Sequence, residues 1–425
     1  MPDAAPVTSA RLPVIRMIRI SLIDGERLGD NVHARMKIEP LPFDAGIAQY
    51  QQQAEALLDA YRTGDPDAIG AIKRRHPRFL DEKIPRLPKD VSGAEVQTAR
   101  LGLADAQLTP ARWYDFRDWP ALANYAEAAS DKGSPVWLFE SAVEAVVHGE
   151  VAALESLLHD HPELVKARST RVMNFDPPVH GATLLHYIAA NGVEGHRQET
   201  PANAVEVAKT LLQAGAEADA VAGMYGGKCT TMSMLVSSCH PAKAGVQIAL
   251  AETLLDFGAS IEAQGEGNWR SPLMTALAFG YQETARALVR RGARVENIAA
   301  AAALGRISDA QALLPAADAL SRHRALALAA QHGQVEIVRL LLDAGEDPNR
   351  YNPDGNHSHS TPLHQAVWAE HVAVVRLLVE RGADLTIQDT TYHGTPLDWA
   401  IYGKKTAIES YLRSQGAKSA DELGR

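Results

Sequence analysis

Few side chains in this sequence stand at spacings that could do chemistry. Cys239 and His240 are neighbours, a thiol beside an imidazole, which is the minimal pairing of a nucleophile with its base. Successive residues on a helix point about 100° apart, so the two would not face each other. No acid stands where it would orient His240, and a buried or incidental thiol is the plainer reading. His357-Ser358-His359 alternate, so an extended segment would carry both imidazoles on one side, near Asp354. A closed metal site takes three or four ligands. The pair falls short of that, and a solvated loop tip is expected instead.

The most polar stretch follows Gly192 and bears Glu194, His196, Arg197, Gln198 and Glu199. A second polar set, Tyr225, Thr230, Thr231, Ser237, Ser238 and His240, follows about one structural unit later. If the two loops are adjacent, a small-ligand or enzymatic pocket could form from Arg197, Tyr225 and His240, with Arg197 holding an anion. The competing reading is an Ω-like loop that satisfies its own backbone and covers the groove. The basic run Lys73-Arg74-Arg75, with Arg78, Lys83, Arg86 and Lys89, is diluted by Asp81, Glu82 and Asp90 and reads as a solvated helix end. The sequence has no glycine-rich phosphate loop, no H-E-x-x-H and no G-x-S-x-G. The expectation is a protein without catalytic residues, metal or cofactor, and not an enzyme.

The elements that would position these residues repeat along the chain. TPLHQAVWAEHVAVVRLLVERGADLT begins at Thr361 and TPLDWAIYGKKTAIESYLRSQGA at Thr395. Thr361 to Thr395 and Gly382 to Gly416 are both offsets of 34 residues. Earlier versions start at Thr183, Thr230 and Ser271. In one unit Thr361 can cap a helix and Pro362 occupies its first position, where a missing N–H costs nothing. Leu363, Ala366 and Val367 form one apolar face, and Val374, Val375, Leu377 and Leu378 form the stripe of a second helix. Gly382 suits the left-handed C-cap. Such a pair cannot bury both faces alone and must stack on its neighbours.

The helix-turn glycines Gly280, Gly305 and Gly333 lie only 25 and 28 residues apart. The connecting hairpin fingers should therefore be missing between 297 and 350. An older-looking version occurs at Glu55–Pro77 and again at Glu140–Pro162, with Gly64 and Gly149 in register. Between these copies the sequence predicts a helix over 94–108, broken by Pro110. The organisation expected is a disordered extension (1–42, with Met36 as the natural start), a helical module (43–130), a repeat stack (138–417) and a tail (418–425).

The chain has 425 residues, 46% of them hydrophobic and 22% charged, with a formal net charge of -10. That is a folding composition, and the negative balance disfavours nucleic acid, since phosphate neutralisation needs surplus Lys and Arg. No run of about 18 apolar residues exists, so no membrane span is expected. Two cysteines do not make a disulfide framework, which suits a cytoplasmic protein.

Residues about 138–417 resemble ankyrin repeats, on the strength of TPLH at Thr361–His364 and RGADL at Arg381–Leu385. From about Phe43 to Ala417 the chain also resembles a group of bacterial ankyrin-repeat domain-containing proteins without an assigned biochemical role. The shared segments are LADAQL…FRDWPAL (Leu103–Leu122), HYIAANGVEGHRQETPANAVEVA (His186–Ala208) and MYGGKCTTM…HPAKAGVQ (Met224–Gln247). Asp398 departs from the pattern, where the last TPLH loses its histidine. The resemblance implies an all-α solenoid of helix-turn-helix units with short β-hairpin fingers, about eight units in all. It implies that His186 and His364 tie a turn to its neighbour.

The resemblance further implies that the fifth and eighth positions of each first helix face a concave groove that binds another protein. The partner-binding residues expected on this ground are Tyr187, Met234, Gln365, Trp368, Trp399 and Tyr402, with Trp269 and Tyr392 at finger tips. Trp and Tyr are favoured interface anchors. The bland alternative is that the last three aromatics pack on the C-terminal tail.

Overall fold

The structure is a computed structural model that describes residues 40–82, 87–174, 177–192, 194–224, 228–262 and 271–424. The expectations for residues 1–39, Tyr225 and Trp269 lie outside the described residues. The described residues divide into two compact units, one ending at Ala259 and the other beginning at Ser260.

The first unit opens with α1 (Ile47–Arg62), α2 (Pro66–Arg75), α3 (Gly93–Gln97), α4 (Leu103–Trp113) and α5 (Trp119–Ser130). Asp65 caps α2 by accepting from the N–H groups of Asp67 and Ala68, both at 3.0 Å, with Pro66 in the first turn. The helix predicted over 94–108 is two helices. Ser92 and Glu95 cap α3 reciprocally, and the Gly102 N–H donates to Asp105 Oδ2 at 2.8 Å to start α4. Pro110 does not break α4. An interior proline costs ~3 kcal/mol, but Ala106, Thr109, Pro110, Ala111 and Trp113 are all buried, and that packing carries the helix through. Tyr50, Leu57, Ile69, Ile72, Phe116 and Leu122 share the core here. Residues 40–42 are not a free extension, because the Leu41 N–H donates to the Tyr114 hydroxyl at 2.9 Å.

The same unit continues with α6 (Pro135–His148), α7 (Val151–Asp160), α8 (Leu184–Tyr187), α9 (Ala204–Gln213), α10 (Thr231–Leu235), α11 (Cys239–Lys243) and α12 (Gln247–Asp256). Gly149 ends α6 at φ +75°, and a Cβ there would lie 2.1 Å from Asn203 Oδ1. Among the described residues the one ladder pairs β1 (Val221–Ala222) antiparallel with β2 (Cys229–Thr230).

The second unit holds α13 (Pro272–Ala278), α14 (Gln282–Arg290), α15 (Ile298–Ala303), α16 (Ile307–Leu313), α17 (Ala319–Gln331), α18 (Val335–Asp343), α19 (Pro362–Trp368), α20 (Val372–Glu380), α21 (Pro396–Tyr402) and α22 (Thr406–Ser414). No hairpin joins α14 to α15 or α16 to α17. With fingers absent, α15 packs directly on α17. Ala300–Ala303 and Ala325–Ala330 are fully buried, and side chains that small let the backbones approach.

Histidines tie the repeats together. The Thr361 hydroxyl and N–H bond to His364 Nδ1, and His364 Nε2 donates to the Gly394 carbonyl at 3.2 Å. His186 repeats the arrangement with Thr183 and the Cys229 carbonyl. Where Asp398 replaces that histidine, its Oδ2 accepts from the Thr395 N–H and hydroxyl and from the Ala420 N–H. The substitution therefore fastens the tail as well as capping the helix.

Candidate functional site

Two places concentrate functional side chains, one in each unit. In the first, Glu140 and Glu144 on α6, Arg171 beyond α7, and Glu194 and Arg197 in the polar insert form a buried ionic cluster. Glu140, Arg171, Glu194 and Arg197 are 1%, 3%, 1% and 8% exposed. Arg197 Nη1 donates to Glu194 Oε2 at 3.0 Å and to Glu140 Oε2, and its Nη2 lies 2.9 Å from Glu144 Oε1. Arg171 Nη1 donates to the Tyr125 hydroxyl at 3.1 Å, Nη2 to the Tyr114 carbonyl at 3.2 Å, and Nε lies 3.4 Å from Glu194 Oε1. Its guanidinium lies over the rings of Phe116 and Tyr125, 4.3 and 4.5 Å from their centroids, and the two rings themselves meet at 4.9 Å. The Tyr187 hydroxyl donates to Glu194 Oε1 at 2.9 Å.

Burial alone would raise the Glu194 carboxyl, but Arg171 and Arg197 outweigh it and hold it down at about 2. Burial would lower both guanidiniums, yet the facing carboxylates keep them firmly charged. Burial, reinforced by Arg197 and Arg171, drives His196 well below the usual imidazole range, so it is neutral. Beside the cluster lies a cleft of about 240 Å³ whose lining includes Phe43, Tyr50, Tyr114, Tyr125, Glu144 and Arg197.

Of the predicted Arg197–Tyr225–His240 pocket, Arg197 lines this cleft and His240 does not, while Tyr225 lies outside the described residues. Both Nη groups of Arg197 are committed to carboxylates, Nη1 to Glu140 and Glu194 and Nη2 to Glu144. His240 lies half-buried in α11, outside the cleft lining; burial and Lys243 lower its pKa, against a smaller opposing pull from Glu199. The second polar set bonds partly within its own turn and partly to the preceding repeat. The Ser238 hydroxyl donates to the Ala190 carbonyl, Asn191 Nδ2 donates to Ser237 Oγ, and Thr230 Oγ1 accepts from the Ser233 N–H. Glu140 was legible only as a lone acid on the apolar face of ESAVEAVV; Arg171 and Tyr125 gave no signal.

In the second unit the aromatics of α19 and α21 gather on one face. Trp368 and Trp399 meet edge-on at 6.1 Å, and Trp368 stacks on Tyr402 at 6.5 Å with 25° between planes. Trp399 Nε1 donates to Asp389 Oδ2 at 3.0 Å, and Asp389 also accepts from the N–H groups of Thr391, Tyr392 and Gly394. Tyr402 is 64% exposed, Tyr392 45% and Ile401 39%. Trp368 and Trp399 are half-buried. Among the described residues, the other expected groove side chains do not reach solvent. Gln365 is 2% exposed and donates to Ser360 Oγ, Met234 is fully buried, and Tyr187 is consumed by Glu194. The first helices stack so tightly that Tyr187, Met234 and Gln365 become core, whereas the equivalent Trp399 stays half-buried.

His357 and His359 are not a solvated tip: each is 4% exposed. His357 Nε2 donates to the Ala278 carbonyl at 3.0 Å, and His359 packs 5.8 Å from Trp399. Among the described residues no group of three or more His, Cys, Asp or Glu is placed to hold a metal ion. No described helix is long and apolar enough to cross a membrane.

Helix pairs closed by left-handed glycines and tied by TPLH histidines define an all-helical repeat protein. Residues 297–389 match the family model of ankyrin repeats, in three copies. Residues 297–389 therefore carry ankyrin repeats. An ankyrin repeat and KH domain-containing protein of Caenorhabditis briggsae is 31% identical over 140 residues, 33% of this chain and 4% of that protein. Ankyrin repeat and SAM domain-containing protein 6 of Mus musculus is 36% identical over 106 residues, 25% of this chain and 12% of its own. The chain thus spans a small part of these relatives, which are eukaryotic. The crystal structure of the human ASB11 ankyrin repeat domain aligns with a TM-score of 0.33 at 21% identity, over 65% of this chain and 96% of that one.

Proposed function

We propose that this protein is a non-enzymatic binding module that captures another protein on the aromatic face of α19 and α21. The observation that carries the reading is the ring cluster Trp368–Trp399–Tyr402, with Tyr402, Tyr392 and Ile401 exposed beside it. Large rigid aromatics bury much area at low entropy cost and dominate interface energetics. Ankyrin repeats generally serve as protein-interaction modules, which supports the same reading. Two cysteines in 425 residues are too few for a disulfide framework, and we place the protein in a bacterial cytoplasm on that ground and on the resemblance.

The expected groove residues reduce to Trp368, Tyr392, Trp399 and Tyr402. The test is affinity capture from lysate with wild type and with Trp368→Ala plus Tyr402→Ala. Trp399 is left in place because it anchors Asp389. A protein retained by wild type and lost by the double variant, at unchanged melting temperature, supports the assignment. Equal retention by both sinks it.

A further inference from the structure

The cleft in the first unit is built for a charged ligand, and the sign of that charge follows from its lining. We propose that it binds a small organic cation, an ammonium group carried on an apolar or aromatic body.

Consider first an anion. Two guanidiniums face the cleft, Arg171 and Arg197. The Nη1 and Nη2 groups of Arg197 are spent on Glu140, Glu194 and Glu144. Those of Arg171 are spent on the Tyr125 hydroxyl and the Tyr114 carbonyl, with its Nε against Glu194. The Tyr50 O–H could donate to an incoming carboxylate or phosphate, but such an anion could take a guanidinium Nη group only by breaking a buried ion pair and leaving an uncompensated charge.

A cation meets the opposite situation. The cleft lining sets Glu144 and Glu199 against the two guanidiniums, and Glu140 and Glu194 pair with those guanidiniums from behind, so the cluster as a whole carries a formal surplus of two negative charges. Glu144 is 30% exposed at the cleft edge and Glu199 is exposed beside it. The walls add Phe43, Tyr50, Tyr114 and Tyr125, whose ring faces attract cations. Arg171 already exploits that preference over the rings of Phe116 and Tyr125. Tyr50 is 2% exposed, yet its hydroxyl makes no hydrogen bond among the described residues and offers lone pairs to an N–H donor. His196, which also lines the cleft, is neutral and adds no repulsion.

The experiment is isothermal calorimetry on the full chain with three probes of one shape: phenethylamine, phenethyl alcohol and phenylacetate. The amine is expected to bind saturably, at least about tenfold tighter than the other two, and to weaken as salt is added. Tyr50→Phe and Glu199→Gln touch no internal bond and should each weaken the amine several-fold at unchanged melting temperature. Nα-acetyl-lysine methylamide separates two sources of the same chemistry. Tighter binding of that probe points to a lysine side chain of a protein, and tighter binding of phenethylamine points to a free amine. If neither ammonium binds, or if phenylacetate binds as tightly as either, the proposal is overturned. Partner capture by the second unit is tested separately, so either idea can fail alone.

Discussion

Glu194 shows how a single residue can be committed twice over. Its carboxylate neutralises Arg171 and Arg197 and accepts from Tyr187, all out of contact with water. Breaking one partner of a buried pair typically costs about 3–5 kcal/mol, because the remaining charge is stranded. Glu194→Gln keeps the shape and removes the charge, leaving two guanidiniums facing Glu140. Urea unfolding followed by circular dichroism should show a fall of that order in the stability of the first unit. A change under about 1 kcal/mol would mean that water already screens the cluster.

Turns between helices set the spacing of the elements. At Gly149 two demands coincide: positive φ and a Cβ position filled by Asn203, whose Nδ2 also donates to the Gly149 carbonyl. Gly215 shares the positive φ but has nothing within 4 Å of a Cβ. Gly215→Ala should therefore cost only the backbone strain, about 1 kcal/mol, while Gly149→Ala should cost distinctly more and loosen the joint between α6 and α9. Equal melting temperatures for the two variants would contradict this account.

Across the whole molecule, buried neutral histidines act as cross-ties. Burial holds His186, His332 and His364 down at about 4 and His357 at about 3. Each donates Nε2–H to a carbonyl distant in sequence, such as His332 to Leu277 at 2.8 Å. In the unfolded chain these imidazoles take a proton near pH 6.5, while in the folded chain they do not. Between about pH 6.5 and 4 the unfolded state binds more protons, so stability falls as pH falls through that window. The urea midpoint should drop steadily from pH 7 to pH 5 in low and high salt alike. A flat profile over that range would show that the histidines are accessible in the native state.

How much of this was legible beforehand follows from which interactions are local. Thr361-Pro362, Asp65-Pro66 and the left-handed glycines act within one helical turn, so spacing alone placed the repeats and even the joints that lack fingers. The bonding of His364 was readable for the same reason, since it repeats with the unit. Burial of Tyr187, Met234, Gln365, His357 and His359 was not, because how closely first helices stack depends on every side chain between them. Nor could the sequence pair Glu140 with Arg197 or bring Arg171 to Tyr125, which meet across 57 and 46 residues. The amino-acid pattern thus determined what kind of repeat this chain builds. Only the tertiary structure decided which polar groups are spent holding it together and which remain to meet a ligand, because a charge is free or neutralised according to its neighbours in space.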